Sequence, residues 1–193
     1  MNMYGQLGLG DNDGRDMFTV VAGLRGVVDI DAGKNHTIAV TCEGEVWTWG
    51  MGRATGHGVD DDETRWLVPA KVTGGGIEEA AVVQVAAGSH HSMARTAIGE
   101  LYSWGQGNSG QLGHGGIEHL AVPRVVDGIG GAWSGMAGGG YHSLVTTAEG
   151  RVLAFGTGYN GRLGLGAVVQ ALTPTVIDGI TLVEEEEGKE GKE

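Results

Sequence analysis

The sequence is poor in cysteine, proline and aromatic residues. Its single cysteine, Cys42, cannot form an internal disulfide, so we expect an intracellular, reducing compartment: the cytoplasm, the nucleus or an organelle. Three prolines are present, and aromatic residues make up 6% of the chain, whereas 39 of the 193 residues are glycine. Because an interior glycine weakens a helix by about 1 kcal/mol, this composition predicts strands and tight turns.

Positive charge and long apolar runs are also scarce. Twelve Lys and Arg oppose 24 Asp and Glu, which gives a formal charge of −12 at pH 7. Nucleic-acid binding relies on clustered Lys and Arg, so we expect no nucleic-acid partner. No apolar run approaches the ~18 residues of a membrane helix, so we expect no membrane association. The last residues, EEEEGKEGKE (184–193), predict a disordered acidic tail.

The sequence does contain a long internal repeat. AGKNHTIAVTCEGEVWTWG (32–50) aligns without a gap with AGSHHSMARTAIGELYSWG (87–105) and GGGYHSLVTTAEGRVLAFG (138–156). Within each unit the side chains alternate with a period near two and glycine-bearing turns follow, which predicts four short strands per unit. Such a unit is typical of a β-propeller blade. The repeated structural positions are His36, His91 and His142, Trp49, Trp104 and Phe155, and Gly50, Gly105 and Gly156.

This repeat resembles that of the regulator of chromosome condensation family. An AG-xx-H-[ST] turn, a T-xx-G hairpin, an aromatic-x-WG strand end, an N-xx-GQLG loop and a proline-valine strand are almost complete in 87–126. The resemblance covers about residues 1–180 and implies blades of a seven-bladed propeller. We therefore expect an all-β, incomplete propeller arc over residues 1–183. It would have three full four-stranded blades, at about 17–58, 66–115 and 120–166, and partial blades at 1–16 and 167–183.

Two features depart from the family pattern. The loop WGMGRATGHG (49–58) is two residues shorter than WGQGNSGQLGHG (104–115) and lacks the leucine of GQLG, so we expect this blade edge to be remodelled. Three blades with partial neighbours also cannot close a seven-bladed ring. Because open blade faces would expose apolar surface, we expect a further segment or another chain to complete the propeller.

Several short patterns resemble functional motifs. GQGNSG (105–110) fits the dinucleotide-binding G-x-G-x-x-G pattern, but the glycines and the proline that follow it exclude the helix that would bind phosphates. DNDGRD (11–16) begins like a calcium loop, yet Ala22 stands where the loop needs its bidentate glutamate. HGVDDDE (57–63) is interpreted as a solvated acidic loop. We expect no catalytic residue, no metal site and no cofactor, and therefore no enzyme.

The repeated histidines are interpreted as structural. One histidine per unit, beside a small turn and before Thr or Ser, fits a buried hydrogen-bonding residue that ties neighbouring strands better than a ligand or a base. The other histidines, at 57, 90, 114 and 119, show no repeat in the sequence. A light-sensing branch of the family carries a G-W-R-H-T signature at the same turn. GKNHT, GSHHS and GGYHS lack its tryptophan and arginine, so light sensing is not expected.

The leading functional hypothesis is a non-enzymatic protein-interaction module or scaffold, part of a larger protein or assembly. The family's propellers present faces and rim loops to proteins, and an acidic arc favours basic partners. The alternative is guanine-nucleotide exchange on a Ran-like small GTPase, the activity of the family's founding member. The candidate partner-facing loops are 51–65, 106–119 and 157–169, with Arg53, His57, Asp60, Asp61, Asp62, Asn108, Gln111, His114, Tyr159, Asn160 and Arg162.

Overall fold

The computed structural model describes residues 1–129 and 133–181, so the predicted tail at 184–193 lies outside the described residues. Twelve strands form three separate four-stranded antiparallel sheets. Three single-turn 3-10 helices, Gly52–Ala54, Ile77–Glu79 and Tyr159–Gly161, lie in the connections. Over the described ranges, no helix has the length and apolar character needed to cross a membrane. The predicted all-β arc of three four-stranded blades is confirmed.

Each blade is an up-and-down sheet in which consecutive strands pair. Blade 1 contains β1 (Val27–Ala32), β2 (His36–Thr41), β3 (Val46–Met51) and β4 (Arg65–Lys71). Blade 2 contains β5 (Val82–Ala87), β6 (His91–Thr96), β7 (Leu101–Gly105) and β8 (Leu120–Val125). Blade 3 contains β9 (Trp133–Gly138), β10 (His142–Thr147), β11 (Arg151–Thr157) and β12 (Gln170–Thr181).

The register of the two middle strands is the same in every blade. His36 lies opposite Gly50 in blade 1, and the corresponding histidine and glycine face each other in the other two blades. Gly50 has a φ of 105°, in the left-handed region, and a side chain there would collide with the carbonyl oxygen of Asn35. Only glycine adopts this φ readily and also leaves this space free, which explains why a glycine recurs at this strand end.

The observed blades begin and end at different residues from the predicted units. We expected the proline strand to begin a unit near 66 and 120, but β4 pairs with β3 and β8 pairs with β7, so this strand ends the preceding blade. For the same reason most of the predicted partial blade at 167–183 is the fourth strand of blade 3. The segment 17–21, with which the first predicted blade begins, forms no strand, and that blade begins with β1 at Val27.

Most of the apolar core lies between the blades, while a smaller cluster of Ala154, Leu163, Ala171 and Ile177 lies within blade 3 and its loop. At the junction of blades 1 and 2, Ile38 and Val40 pack with Val85 and Trp104 in one buried cluster. A second cluster joins Met93 and Leu101 of blade 2 to its neighbour through Trp133, Val145 and Phe155. Alternate side chains of each sheet therefore face a neighbouring blade, and the repeated aromatic positions are core residues.

One face of blade 1 is not covered by another blade of the described residues. Ile30 is 56% exposed, whereas its repeat equivalent Val85, at the junction of blades 1 and 2, is 4% exposed. The segment 1–10 covers part of this face, since the Trp49 indole N–H donates to the Gln6 carbonyl at 2.8 Å. Burial at a given repeat position is therefore set by whether a blade lies against it.

These two equivalent positions give a direct test of where the core lies. We expect Val85→Ala to lower the free energy of unfolding by about 2 kcal/mol, because buried methyl groups are lost and a cavity remains. Ile30→Ala should change it by less than about 0.5 kcal/mol, as is usual at exposed positions. Urea unfolding followed by tryptophan fluorescence measures both; equal effects would contradict the assignment of the core to the junctions.

Candidate interaction surface at the blade edges

The two ends of each sheet form two different surfaces. The β3–β4 loop (52–64) and its equivalents (106–119 and 158–169) lie at the same end of the sheets as the AG-xx-H turns. We call this end the loop face. The tight hairpins (42–45, 97–100 and 148–150) lie at the opposite end, together with the connections between blades, and we call that end the hairpin face. All the predicted partner-facing residues are on the loop face, in three loops of successive blades.

A buried three-group contact anchors the loop face at each junction. His36 Nε2 lies 3.0 Å from the Ser92 hydroxyl of blade 2, and that hydroxyl donates to the Ala54 carbonyl of blade 1 at 2.8 Å. At the next junction His91 Nε2 lies 2.9 Å from Ser143 Oγ, which donates to the Gln111 carbonyl at 2.8 Å. We call this contact the junction lock. It joins a histidine, the serine of the following blade and a carbonyl of a loop.

The junction lock determines which ring nitrogen of each histidine carries the proton. Serine has one hydroxyl hydrogen, and a backbone carbonyl can only accept, so Nε2 of His36 and His91 must carry the proton and donate to serine. The Nδ1 atoms of both rings are buried and have no hydrogen-bond partner. Burial lowers the pKa of His36 to about 4 and that of His91 to about 3. Both histidines are therefore neutral at physiological pH, which excludes them as cationic contacts for a partner.

His142, the third repeated histidine, is placed differently. Its ring is half-buried, and no hydroxyl of the described residues contacts it, because no described blade follows blade 3. At the other end of the arc, Thr37 takes the place of the serine and donates to the Gln6 carbonyl at 2.8 Å. The segment 1–10 thus supplies the loop carbonyl that blade 1 needs.

A second contact of the same kind lies within blades 1 and 2. Thr48 donates to the Thr55 carbonyl at 2.6 Å and lies 2.9 Å from His57 Nε2. Ser103 likewise donates to the Leu112 carbonyl at 2.7 Å and lies 2.9 Å from His114 Nε2. The interpretation that these two histidines do not repeat is therefore wrong. The two-residue deletion in the first loop hides their equivalence, although the shared G-H-G sequence could have revealed it.

The shortened loop of blade 1 is a compact acidic element. Arg53 Nη1 contacts Asp60 Oδ1 at 2.5 Å, and Arg53 Nε contacts Asp62 Oδ1 at 2.9 Å. Asp61 accepts hydrogen bonds from the backbone N–H groups of Glu63 and Thr64, and these bonds hold its pKa below the usual value. The Arg53 side chain is 18% exposed, whereas Asp60 and Asp62 are half exposed. The loop therefore presents carboxylates to solvent from a cross-linked backbone.

Some residues predicted to face a partner do not. Gln111 is fully buried, because its side chain accepts from the Ser109 N–H inside the loop. His57 is half-buried against Trp66, with ring centroids 4.2 Å apart, and His114 is held by Ser103. Arg162 donates through Nε to the Tyr159 carbonyl. The predicted residues that are exposed on the loop face are Asp60, Asp62, Asn108, Tyr159 and Asn160.

The part of the chain that the structure describes contains no group of three or more His, Cys, Asp or Glu that could hold a metal ion. The glycines of GQGNSG (105–110) lead from β7 into turns, and no helix follows them. Gly115 instead donates its N–H to the Leu172 carbonyl of blade 3 at 2.9 Å. This segment connects two blades.

The junction lock predicts a specific cost for losing one hydroxyl. Ser143→Ala leaves the His91 N–H and the Gln111 carbonyl buried without their shared partner, so we expect the free energy of unfolding to fall by about 1–3 kcal/mol. Ser134→Ala in the same blade removes a solvent-exposed hydroxyl and should cost less than about 0.5 kcal/mol. Chemical denaturation of both variants measures the difference, and a Ser143→Ala protein as stable as Ser134→Ala would sink the assignment.

The buried neutral histidines also predict a pH dependence. Their pKa values in the fold lie below the ~6.5 of an unfolded histidine, so the unfolded chain binds more protons as the pH falls. The stability that they contribute is complete above pH ~6.5 and is lost as the pH falls towards 4 for His36 and 3 for His91. We expect each histidine to lower the free energy of unfolding by roughly 3 kcal/mol between pH 7 and pH 4.

Unfolding measured across this pH range in the wild type and in His91→Gln checks this prediction. Glutamine does not titrate and its amide can still donate to Ser143, so the variant should show a shallower loss of stability. An unchanged slope would show that His91 is not a source of the pH dependence.

The described architecture is that of a known repeat. The model of the regulator of chromosome condensation (RCC1) repeat matches residues 1–40, 43–95 and 99–146. A second model of the same repeat matches residues 27–54 and 82–111.

Two curated relatives are similar in sequence. The ultraviolet-B receptor UVR8 of Arabidopsis thaliana is 32% identical over 179 residues, which are 91% of this chain and 40% of that receptor. The human E3 ubiquitin-protein ligase HERC2 is 35% identical over 162 residues, which are 80% of this chain and 3% of the ligase. The chain spans less than half the length of either relative.

Solved structures show the same architecture. Human WBSCR16 matches with a TM-score of 0.78 and 28% identity, over 91% of this chain and 45% of that one. Prp20p from Saccharomyces cerevisiae, described with its binding to Gsp1p and histones, matches with a TM-score of 0.69 and 26% identity, over 80% of this chain and 39% of that one. With these matches across its three blades, the chain belongs to the regulator of chromosome condensation (RCC1) repeat family.

Proposed function

We propose that this chain is a non-enzymatic protein-interaction module whose loop face binds a basic protein surface. The observation that carries the proposal is the loop 52–64, in which Arg53 holds Asp60 and Asp62 in place while both carboxylates stay exposed. Four carboxylates in this loop oppose one guanidinium, so the loop keeps a negative charge. A prearranged loop loses little conformational freedom on binding, which favours its use as a contact surface.

Charge and family both support a basic protein partner. The chain carries a formal charge of −12, and complementary charge speeds association and disfavours wrong partners. Prp20p, one of the structural relatives, was described with its binding to histones, which are basic proteins. The proposal assigns no chemical step to the chain, and a compartment that holds such partners is the nucleus or the cytoplasm.

Guanine-nucleotide exchange on a Ran-like small GTPase is the second candidate function. One observation favours it: the structure of Prp20p was described with its binding to Gsp1p. Release of labelled GDP from a panel of small GTPases tests this candidate, and no acceleration by micromolar protein would remove it.

The uncovered face of blade 1 supports a further part of the proposal, namely that additional blades cover it. Phe18 and Val20 are fully or almost fully exposed, and Ile30 is more than half exposed. A further segment or another chain that presents a blade of this repeat would bury these side chains. The junction of blades 1 and 2 buries Val85, the repeat equivalent of Ile30, in the same way.

The interaction proposal is tested with purified core histones as the basic partner. We expect Asp60→Asn combined with Asp62→Asn to weaken binding about tenfold, since two charge-assisted contacts are lost. Asp127→Asn combined with Asp178→Asn removes the same charge from exposed positions towards the hairpin face and should change affinity less than about threefold. Biolayer interferometry at low ionic strength measures both. Equal losses in the two variants, or no histone binding by the wild type, would contradict the proposal.

A further inference from the structure

Blade 2 contains a groove on the hairpin face that the proposed function does not use. The groove has a volume of ≈ 370 Å³ and lies between the connection 76–81 and the β6–β7 hairpin. Its walls include small side chains and Ile98, which is 83% exposed. Two carboxylates, Glu79 and Glu100, line it together with Tyr102. We call it the acidic groove.

Tyr102 points an unpaired polar group into this groove. The residue is 5% exposed, and its hydroxyl makes no hydrogen bond within the described ranges of the chain. Burial and the negative charges of Glu100 and Glu78 raise the pKa of the Tyr102 hydroxyl, which therefore stays protonated. The ring is packed in the core while the hydroxyl reaches the groove, so its hydrogen-bonding capacity is available to a group that enters there.

The same position in blade 1 identifies the chemistry of that group. Glu45 is the equivalent of Glu100, because the backbone N–H of each donates to a threonine hydroxyl four residues earlier. In blade 1 the Lys71 ammonium contacts Glu45 Oε1 at 2.6 Å. The indole N–H of Trp47, which stands where blade 2 has Tyr102, donates to Glu45 Oε2 at 3.3 Å. Blade 1 therefore supplies its own cation to this carboxylate.

Blade 2 keeps the carboxylate but has lost the cation. Trp47 of β3 pairs with Lys71 of β4 in blade 1, whereas Tyr102 of β7 pairs with Val125 of β8 in blade 2. Over the described residues, Glu100 forms no salt bridge. Glu79, where the first repeat has Leu24, adds a second carboxylate to the groove. Two carboxylates thus line the groove, and one of them, Glu100, lacks the cation that its blade 1 equivalent Glu45 has.

We propose that the acidic groove binds a lysine or arginine side chain of a basic protein segment. The cationic head lies between Glu79 and Glu100 and donates to the Tyr102 hydroxyl oxygen, while the alkyl stem packs on Ile98. Lys71 in blade 1 is the internal precedent for the cation. Long basic side chains bury their methylene groups on apolar surface while the charge stays with polar groups, as this groove allows. The site lies on the face opposite the loop 52–64 and stands independently of the function proposed for that loop.

The test uses a fluorescein-labelled lysine octapeptide and fluorescence anisotropy at low ionic strength. We expect Glu79→Gln combined with Glu100→Gln to weaken peptide binding about tenfold. Val125→Lys restores the cation of blade 1 beside Glu100 and should weaken binding to a similar degree, although it removes no carboxylate. The matched control is Asp127→Asn combined with Asp178→Asn, which removes the same charge from exposed positions that do not line the groove and should change affinity less than about threefold.

Three outcomes would overturn the proposal. They are that the wild type does not bind the peptide, that the glutamine variant binds it as the wild type does, or that the control variant loses as much affinity as the groove variant. Glu79 is exposed and Glu100 is half-buried, so the glutamine variant decides the question even if Val125→Lys does not fold.

Discussion

A neutral histidine that donates to a serine of the next blade is the contact on which the arc depends. It works only without charge, because the bare Nδ1 atoms of His36 and His91 are buried and have no acceptor. The serine hydroxyl in turn donates a hydrogen bond to a loop carbonyl. One short chain of hydrogen bonds therefore joins two sheets and fixes the loop above them. The apolar clusters provide the burial that favours blade stacking, and the junction lock sets how neighbouring blades are aligned.

Function in such a repeat is expected at positions where equivalent residues differ. The frame of His91, Trp104 and Gly105 is nearly constant across the blades, because each of these residues is required by packing or by backbone geometry. The β4 position of Lys71 and its β8 equivalent Val125 are less constrained, since Lys71 is exposed and Val125 is only partly buried. Lys71 in blade 1 is replaced by Val125 in blade 2 without any change of register. The same backbone therefore carries a Glu45–Lys71 ion pair in one blade and an unpaired Glu100 in the next.

Much of the fold followed from the repeat itself, whose histidines His36, His91 and His142 are spaced by 55 and 51 residues, because this spacing aligned strands, turns and core positions at once. The blade boundaries did not follow, since a repeat has the same period wherever its unit is taken to begin. Gln111 was placed on the surface because it is polar and lies in a loop, yet the loop folds over it. The acidic groove was not predicted, because it depends on cross-strand partners that lie more than 20 residues apart in sequence, such as Glu45 and Lys71.

The two anchored carbonyls of each loop have a consequence for engineering. In blade 1 the anchored pair is Ala54 and Thr55, and in blade 2 it is Gln111 and Leu112, although blade 1 has two residues fewer before the pair. The Ser92 and Ser143 hydroxyls nevertheless reach their carbonyls at the same 2.8 Å. Changes of length are thus absorbed between the strand end and the anchored pair. This short stretch is the natural insertion point for a foreign peptide, because the junction behind it already tolerates loops of different length.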